Sequence, residues 1–135
     1  MSTPTEELCT PYAEGAITHV KMCTTFYQDK LKDADNTLMT RYLAFELGVM
    51  EYFLRAMLQR HNSLDVNQSI LGIAICYAAA KYGKHADSVF NTWREMLTGG
   101  SMQKERSFGF ESLRCNDGEE RHNSVPFLGK ALQLD

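Results

Sequence analysis

His19 and Cys23 are the first residues along the chain whose types and spacing could do chemistry. Side chains four positions apart lie on one face of a helix, so an imidazole and a thiol at this spacing can bind zinc together. Cys9 could add a third ligand, but a structural zinc site needs four, and the chain contains no CxxC pair. We therefore expect no metal here and interpret Cys23 as a neighbour of an apolar stripe.

Nucleophilic catalysis would need a cysteine or serine beside a histidine base and an orienting group. The chain has four cysteines and four histidines, but no GxSxG elbow, phosphate-binding loop, HExxH motif or glycine-rich dinucleotide fingerprint. Glu46 and Glu51 are five positions apart, so they do not share a helical face as di-iron carboxylates do. The sequence predicts neither an enzyme nor a bound cofactor.

Residues 74–97 carry a partial helix-turn-helix pattern. Ala79 would permit close helix approach, Gly83 would make the turn, and Val89 would lock the second helix onto the first. However, Asp87 would face the phosphates, and Lys and Arg are not concentrated in any region of a chain whose net charge is −3. DNA-binding proteins usually present a basic face. A DNA-binding regulator is therefore the alternative function, and we expect no nucleic-acid partner.

The elements that must position these residues are helices, because apolar residues recur with a period near 3.6 over most of the chain. The predicted fold is all-α, an irregular bundle of four to five helices with a less regular C-terminal segment. Residues 1–114 form the helical domain, and residues 115–135 form a polar linker and a docking tail. The predicted helices run from the Thr3–Thr10 region to Leu31, from Thr37 to Gln59, from Asp65 to Tyr82 and from His85 to Thr98.

Two regions leave structural questions open. Met102 to Leu113 fits a helix, but it also contains an alternating, glycine-interrupted pattern typical of a strand. In the third predicted helix, Ala78 and Ala79 belong to a run of small residues, which predicts a close contact with another helix.

The predicted helix 37–59 is apolar around most of its circumference. One stripe includes Phe45 and Phe53, and a second includes Met50, Leu54 and Met57. A helix packed on a flat core needs a single stripe about 100° wide, so the surplus predicts coverage by a partner or a second copy. On its narrow polar face, the spacing also predicts an ion pair between Glu51 and Arg55.

The C-terminal residues regain apolar character after a polar turn over 116–120. Such a tail docks either on its own domain or on another molecule. We therefore predict a protein partner or a homodimer. The predicted partner-binding residues are Met50, Leu54, Met57, Phe127 and Leu128.

The amino terminus is polar and acidic, without the basic start and apolar core of a signal peptide. The longest apolar run, Ile70 to Ala80, is about half the length of a membrane-spanning helix, which needs about 20 residues. We expect a cytoplasmic accessory protein of the adaptor, inhibitor, immunity or chaperone type, with no membrane contact. It would act by binding another protein through a helical surface, without catalysis.

Overall fold

The computed structural model describes residues 2–114 and 125–134. These residues form helices joined by short turns and contain no β-strand, which confirms the all-α prediction. The polar turn predicted over 116–120 lies outside the described residues. The helices are α1 (Glu6–Thr24), α2 (Gln28–Lys32), α3 (Asn36–Arg60), α4 (Val66–Tyr82), α5 (Ala86–Gly99), α6 (Gln103–Arg114) and α7 (Val125–Leu132), with a 3₁₀ turn (Gly83–His85) between α4 and α5.

Side-chain caps begin three of these helices. Thr5, Asp35 and Asp65 each accept a hydrogen bond from the backbone N–H three residues on, at 3.1, 2.8 and 2.8 Å. Such a bond satisfies one of the N–H groups that a helix start leaves without a partner. At the other ends, Gly83 and Gly100 follow α4 and α5 with φ values of 52° and 62°. Glycine adopts this backbone conformation readily.

The first predicted segment is divided into α1 and α2, with Pro11 inside α1. The helix α1 ends at Thr24, and Thr25 follows it. The hydroxyls of both threonines donate to the carbonyl of Lys21, at 2.9 Å from Thr24 and 3.3 Å from Thr25. These local bonds compete with the helical backbone ladder. Met102–Leu113, the region with two predicted alternatives, lies largely in the helix α6.

The long helix α3 lies at the centre of the bundle and contacts α1, α4, α5, α6 and α7. Every residue from Tyr42 to Met50 is buried. Trp93 of α5 is also buried, and its indole N–H donates to the carbonyl of Leu43 at 2.8 Å. The chain itself therefore covers α3 on all sides from Tyr42 to Met50. The two end segments of α3, residues 36–41 and 51–60, are only partly covered.

The helices α3 and α6 approach each other closely at two glycines. A Cβ atom built on Gly48 would lie 1.8 Å from the carbonyl oxygen of Arg106, and one on Gly109 would lie 2.1 Å from the carbonyl oxygen of Phe45. Neither position has room for a side chain. The two backbones therefore contact each other directly, which sets the position of α6 against the central helix.

The two alanines of α4 are expected to respond differently to enlargement. Ala78 is buried, with 1% of its surface exposed, whereas Ala79 is exposed, so the predicted close contact applies to Ala78 alone. Ala78→Leu should lower the free energy of unfolding by about 1–3 kcal/mol through overpacking. Ala79→Leu, the matched control, should change it by less than about 0.5 kcal/mol. Urea unfolding measures both, and equal losses would contradict this arrangement.

Candidate functional site

His19, Cys23 and Ser112 form a buried polar cluster between α1 and α6. The Nε2 atom of His19 lies 2.9 Å from Ser112 Oγ and 3.5 Å from Cys23 Sγ. The Ser112 hydroxyl donates its proton to the carbonyl of Gly109 at 2.7 Å. This network assigns the proton on His19 to Nε2, which then donates to the serine oxygen.

The electrostatics of this cluster are the reverse of those of a catalytic cysteine–histidine pair. Burial lowers the pKa of His19 to about 4 and raises the pKa of Cys23 to about 12. A nucleophilic pair needs a thiolate next to an imidazolium, which requires shifts in the opposite directions. Both groups are neutral at pH 7, and the geometry favours a role in joining α1 to α6. Within residues 2–114 and 125–134, no group of three or more His, Cys, Asp or Glu side chains is placed to hold a metal ion.

Burial of His19 should make the protein less stable in mild acid. Its pKa is about 4 in the folded state and about 6.5 in an unfolded chain. Between these values the unfolded state binds a proton that the folded state does not. The free energy of unfolding should therefore fall by about 3 kcal/mol in total as the pH drops from about 6.5 to about 4. Urea unfolding over a pH series measures this loss.

His19→Gln is the control, because its amide can still donate to Ser112 but does not titrate. The variant should keep the pH dependence that arises from carboxylates and lose the part between about pH 6.5 and 4. Identical pH profiles for the two proteins would show that His19 is not buried as a neutral group.

A second cluster surrounds the fully buried carboxylate of Glu46 on α3. The hydroxyls of Tyr77 and Tyr82 donate to its two oxygens, one to each. Lys81 Nζ lies 2.5 Å from Glu46 Oε2 and 2.6 Å from the hydroxyl of Tyr42. The ammonium is also 5.0 to 5.6 Å from the centres of the three tyrosine rings, a cation–π arrangement.

The tyrosines of this cluster stay protonated. Burial, reinforced by the nearby charge of Glu46, raises the pKa values of Tyr42, Tyr77 and Tyr82 far above the usual range. Trp93 packs edge-on against Tyr77, with ring centres 5.4 Å apart. The carboxylate, the ammonium and the hydroxyls are paired with one another, so the geometry favours a structural link between α3 and α4.

An open surface depression of about 410 Å³ lies between the C-terminal part of α3, from Glu51 onward, and the facing part of α6. Three half-buried apolar side chains, Leu54, Leu58 and Phe110, line it together with polar Glu51, Arg55 and Gln59. Two smaller depressions adjoin it. One shares Glu51 and Phe110 with the main depression and the other shares Arg55 and Gln59, so the surface is continuous. We call the surface formed by these six residues the α3–α6 groove.

The charges at the edge of the α3–α6 groove differ from the predicted pairing. Glu51 binds Arg106 of α6 with two contacts, Nε to Oε1 at 2.8 Å and Nη2 to Oε2 at 3.1 Å. The predicted pair between Glu51 and Arg55 is therefore wrong. The forked geometry of an arginine–carboxylate pair is stronger than a flexible contact along one helix. Arg55 is exposed, and none of the described carboxylates forms a salt bridge with it.

The structure separates the five predicted partner-binding residues. Met50, Met57 and Leu128 are fully buried within the chain, so no partner reaches them while the bundle stays closed. The reason is that α3 is the central helix, and the chain's own helices cover it on all sides from Tyr42 to Met50 and also cover Met57. Leu54 and Phe127 are half-buried, and Leu54 lines the α3–α6 groove.

The predicted docking tail packs on its own domain as α7. Leu128, Ala131 and Leu132 are buried, and the ring of Phe127 lies 6.4 Å from that of Phe108 on α6. Lys130 Nζ lies 5.0 Å from the centre of the Phe127 ring. These contacts within the chain occupy much of the surface that Phe127 and Leu128 were predicted to offer a partner.

Sequence reasoning missed Leu58 and Phe110 as groove residues. Leu58 had a signal, because it lies one helical turn beyond Leu54 and extends the same apolar stripe. Phe110 had none, since its position beside Leu54 depends on how α6 crosses α3.

The hairpin between α4 and α5 has the turn at Gly83 that the helix-turn-helix pattern predicts. Its second helix uses Trp93 and Met96 for the core. The exposed residues of α5 do not form a basic stripe of the kind that binds phosphates. They include Asp87, Ser88, Asn91, Arg94 and Glu95.

None of the helices in the described part of the chain combines the length and apolar character needed to cross a bilayer. In comparisons with known proteins, no protein-family model, curated protein or solved structure matches this chain.

Proposed function

We propose that this protein is a helical protein–protein interaction module that binds a partner's helical segment in the α3–α6 groove. The observation that carries the proposal is the set of three apolar side chains, Leu54, Leu58 and Phe110, at an open depression beside the central helix. The module acts without catalysis, as an accessory protein of the adaptor, inhibitor, immunity or chaperone type in the cytoplasm.

The shape of the groove suits a helix better than an extended strand. Leu54 and Leu58 are one helical turn apart on α3, and Phe110 faces them from α6. An amphipathic helix fills such a channel with apolar side chains at i, i+3 or i+4, and i+7. An aromatic side chain such as Phe110 is a typical anchor of protein–protein contacts.

Photo-crosslinking tests the proposal. A benzophenone amino acid in place of the exposed groove residue Gln59 should crosslink one protein from native lysate, which mass spectrometry then identifies. Leu58→Glu and Phe110→Ala should each weaken binding of that protein at least tenfold, because each removes an apolar contact of about 1.4 kcal/mol or more.

Ile75→Glu is the matched control for these variants. Ile75 is an apolar residue of α4 that is 52% exposed and does not line the groove. Binding by this variant should equal that of the wild type, and melting curves check that all three variants are folded. If Leu58→Glu and Phe110→Ala bind as the wild type does, the groove is not the binding site.

A second copy of the chain is the other occupant to test for. Light scattering at micromolar concentration gives the mass in solution. A dimer that Leu58→Glu converts to a monomer would assign the groove to self-association, as the predicted homodimer requires. A monomer leaves the groove free for another protein.

A further inference from the structure

We infer that the segment bound in the α3–α6 groove is acidic as well as amphipathic, and that one of its carboxylates pairs with Arg55. This inference rests on the proposed function and names the chemistry of the partner. Its occupant is a helical segment of another protein that places an Asp or Glu side chain beside the apolar residues that fill the groove.

The first step of the argument is that Arg55 belongs to the binding surface. It lines the main depression with Leu54 and Leu58, and it also lines the neighbouring depression formed with Tyr52 and Gln59. A helix lying along the groove therefore passes next to the guanidinium and removes water from part of it.

The second step is that no carboxylate among the described residues, 2–114 and 125–134, pairs with this guanidinium. Glu51, one turn earlier on α3, is the carboxylate nearest in sequence, and both of its oxygens are bound by Arg106. These two side chains are largely shielded, with 29% and 14% of their surfaces exposed. Turning Glu51 toward Arg55 would break a bidentate pair and leave Arg106 without its carboxylate.

The third step concerns the partner. A wholly apolar segment would cover the guanidinium without replacing its bonds to water, and burying an unpaired charge is unfavourable. A segment with a carboxylate at this position restores charge-assisted hydrogen bonds, which arginine forms in a forked geometry. Charge complementarity of this kind selects among partners and speeds their encounter. Arg55 therefore acts as the specificity-determining residue of the groove.

A peptide selection tests the inference. Random helical peptides displayed on yeast are selected against the full chain. Enriched peptides should combine apolar residues at i, i+3 or i+4, and i+7 with an Asp or Glu at one preferred position. Fluorescence anisotropy then gives the Kd of one enriched peptide and of its Glu→Gln or Asp→Asn version.

The expected result is a coupling between Arg55 and the peptide carboxylate. Arg55→Met removes the guanidinium but retains an unbranched side chain of similar shape. It should weaken binding of the acidic peptide about tenfold, but leave the Kd of the amide version nearly unchanged. Arg60→Met is the matched control, since Arg60 is an exposed arginine of the same helix that does not line the groove. It should leave both Kd values unchanged.

Two other results have separate meanings. Peptides that lose binding in Leu58→Glu but show no acidic preference, or no response to Arg55→Met, overturn this inference and leave the proposed function intact. If the selection yields no peptide, or peptides whose Kd is unchanged in both Leu58→Glu and Phe110→Ala, the proposed function is overturned together with the inference.

Discussion

Replacing Gly48 with alanine should lower the free energy of unfolding by about 3 kcal/mol or more. The new methyl group would lie 1.8 Å from the carbonyl oxygen of Arg106, a backbone atom that cannot move aside without displacing α6. In an exposed helix the same change should instead stabilise by about 1 kcal/mol, because alanine is the better helix former. A loss of stability in Gly48→Ala therefore indicates a close contact with α6, whereas a gain would indicate an exposed position. Urea unfolding followed by circular dichroism measures it.

Gly99 and Gly109 provide the controls for this prediction. Gly99 ends α5, and a Cβ built there meets no atom within 4 Å, so Gly99→Ala should be neutral or slightly stabilising. Gly109→Ala should destabilise as Gly48→Ala does, since its methyl group would lie 2.1 Å from the carbonyl of Phe45. The double variant should lose less than the sum of the two, because either methyl group already separates the helices. Unchanged stability in Gly48→Ala would mean that α3 and α6 do not touch.

Removal of the ammonium beside Glu46 should have an effect of similar size. Lys81→Met leaves a fully buried carboxylate with tyrosine hydroxyls but no cation. Breaking a buried ion pair in this way typically lowers the free energy of unfolding by about 3–5 kcal/mol. Chemical denaturation of the variant measures the loss.

A double-mutant cycle identifies the cause. Glu46→Gln should cost less than Lys81→Met, because 25% of the lysine side chain is exposed and its ammonium can bind water when the carboxylate is absent. Adding Glu46→Gln to Lys81→Met should recover part of the lost stability, since it removes the uncompensated buried charge. If the two changes are simply additive, the lysine and the glutamate do not interact in the folded protein.

The sequence was sufficient to locate the main helices, because their signals are local. The predicted helix 37–59 is α3, Asn36–Arg60. The helix predicted to begin at Asp65 is α4, and the Asp65 side chain caps it by accepting a hydrogen bond from the backbone N–H of Gln68. Gly83 follows α4 at the position where the sequence predicts a turn, and its φ is 52°. Each of these signals depends on neighbours within one helical turn, so it can be recognised in the amino-acid sequence alone.

Hydrophobic periodicity could not show what covers an apolar stripe. Met50, Leu54 and Met57 were predicted as one partner-binding set, yet Met50 and Met57 are fully buried by the chain's own helices and Leu54 lines the groove. The same pattern arises whether a stripe is covered by its own chain or by another molecule. Only the packing of five helices around α3 distinguishes the two.

The groove itself depends on contacts between residues far apart in the chain. The sequence predicted a local pair for Glu51 with Arg55, but the tertiary structure brings Arg106 to Glu51 and leaves Arg55 exposed. Gly48 and Gly109 were merely weak helix formers in sequence, whereas in the fold they let two backbones touch and so place Phe110 beside the central helix. Helix positions follow from local propensity and capping, but pairing and exposure follow from how the helices cross, which no single helical turn encodes.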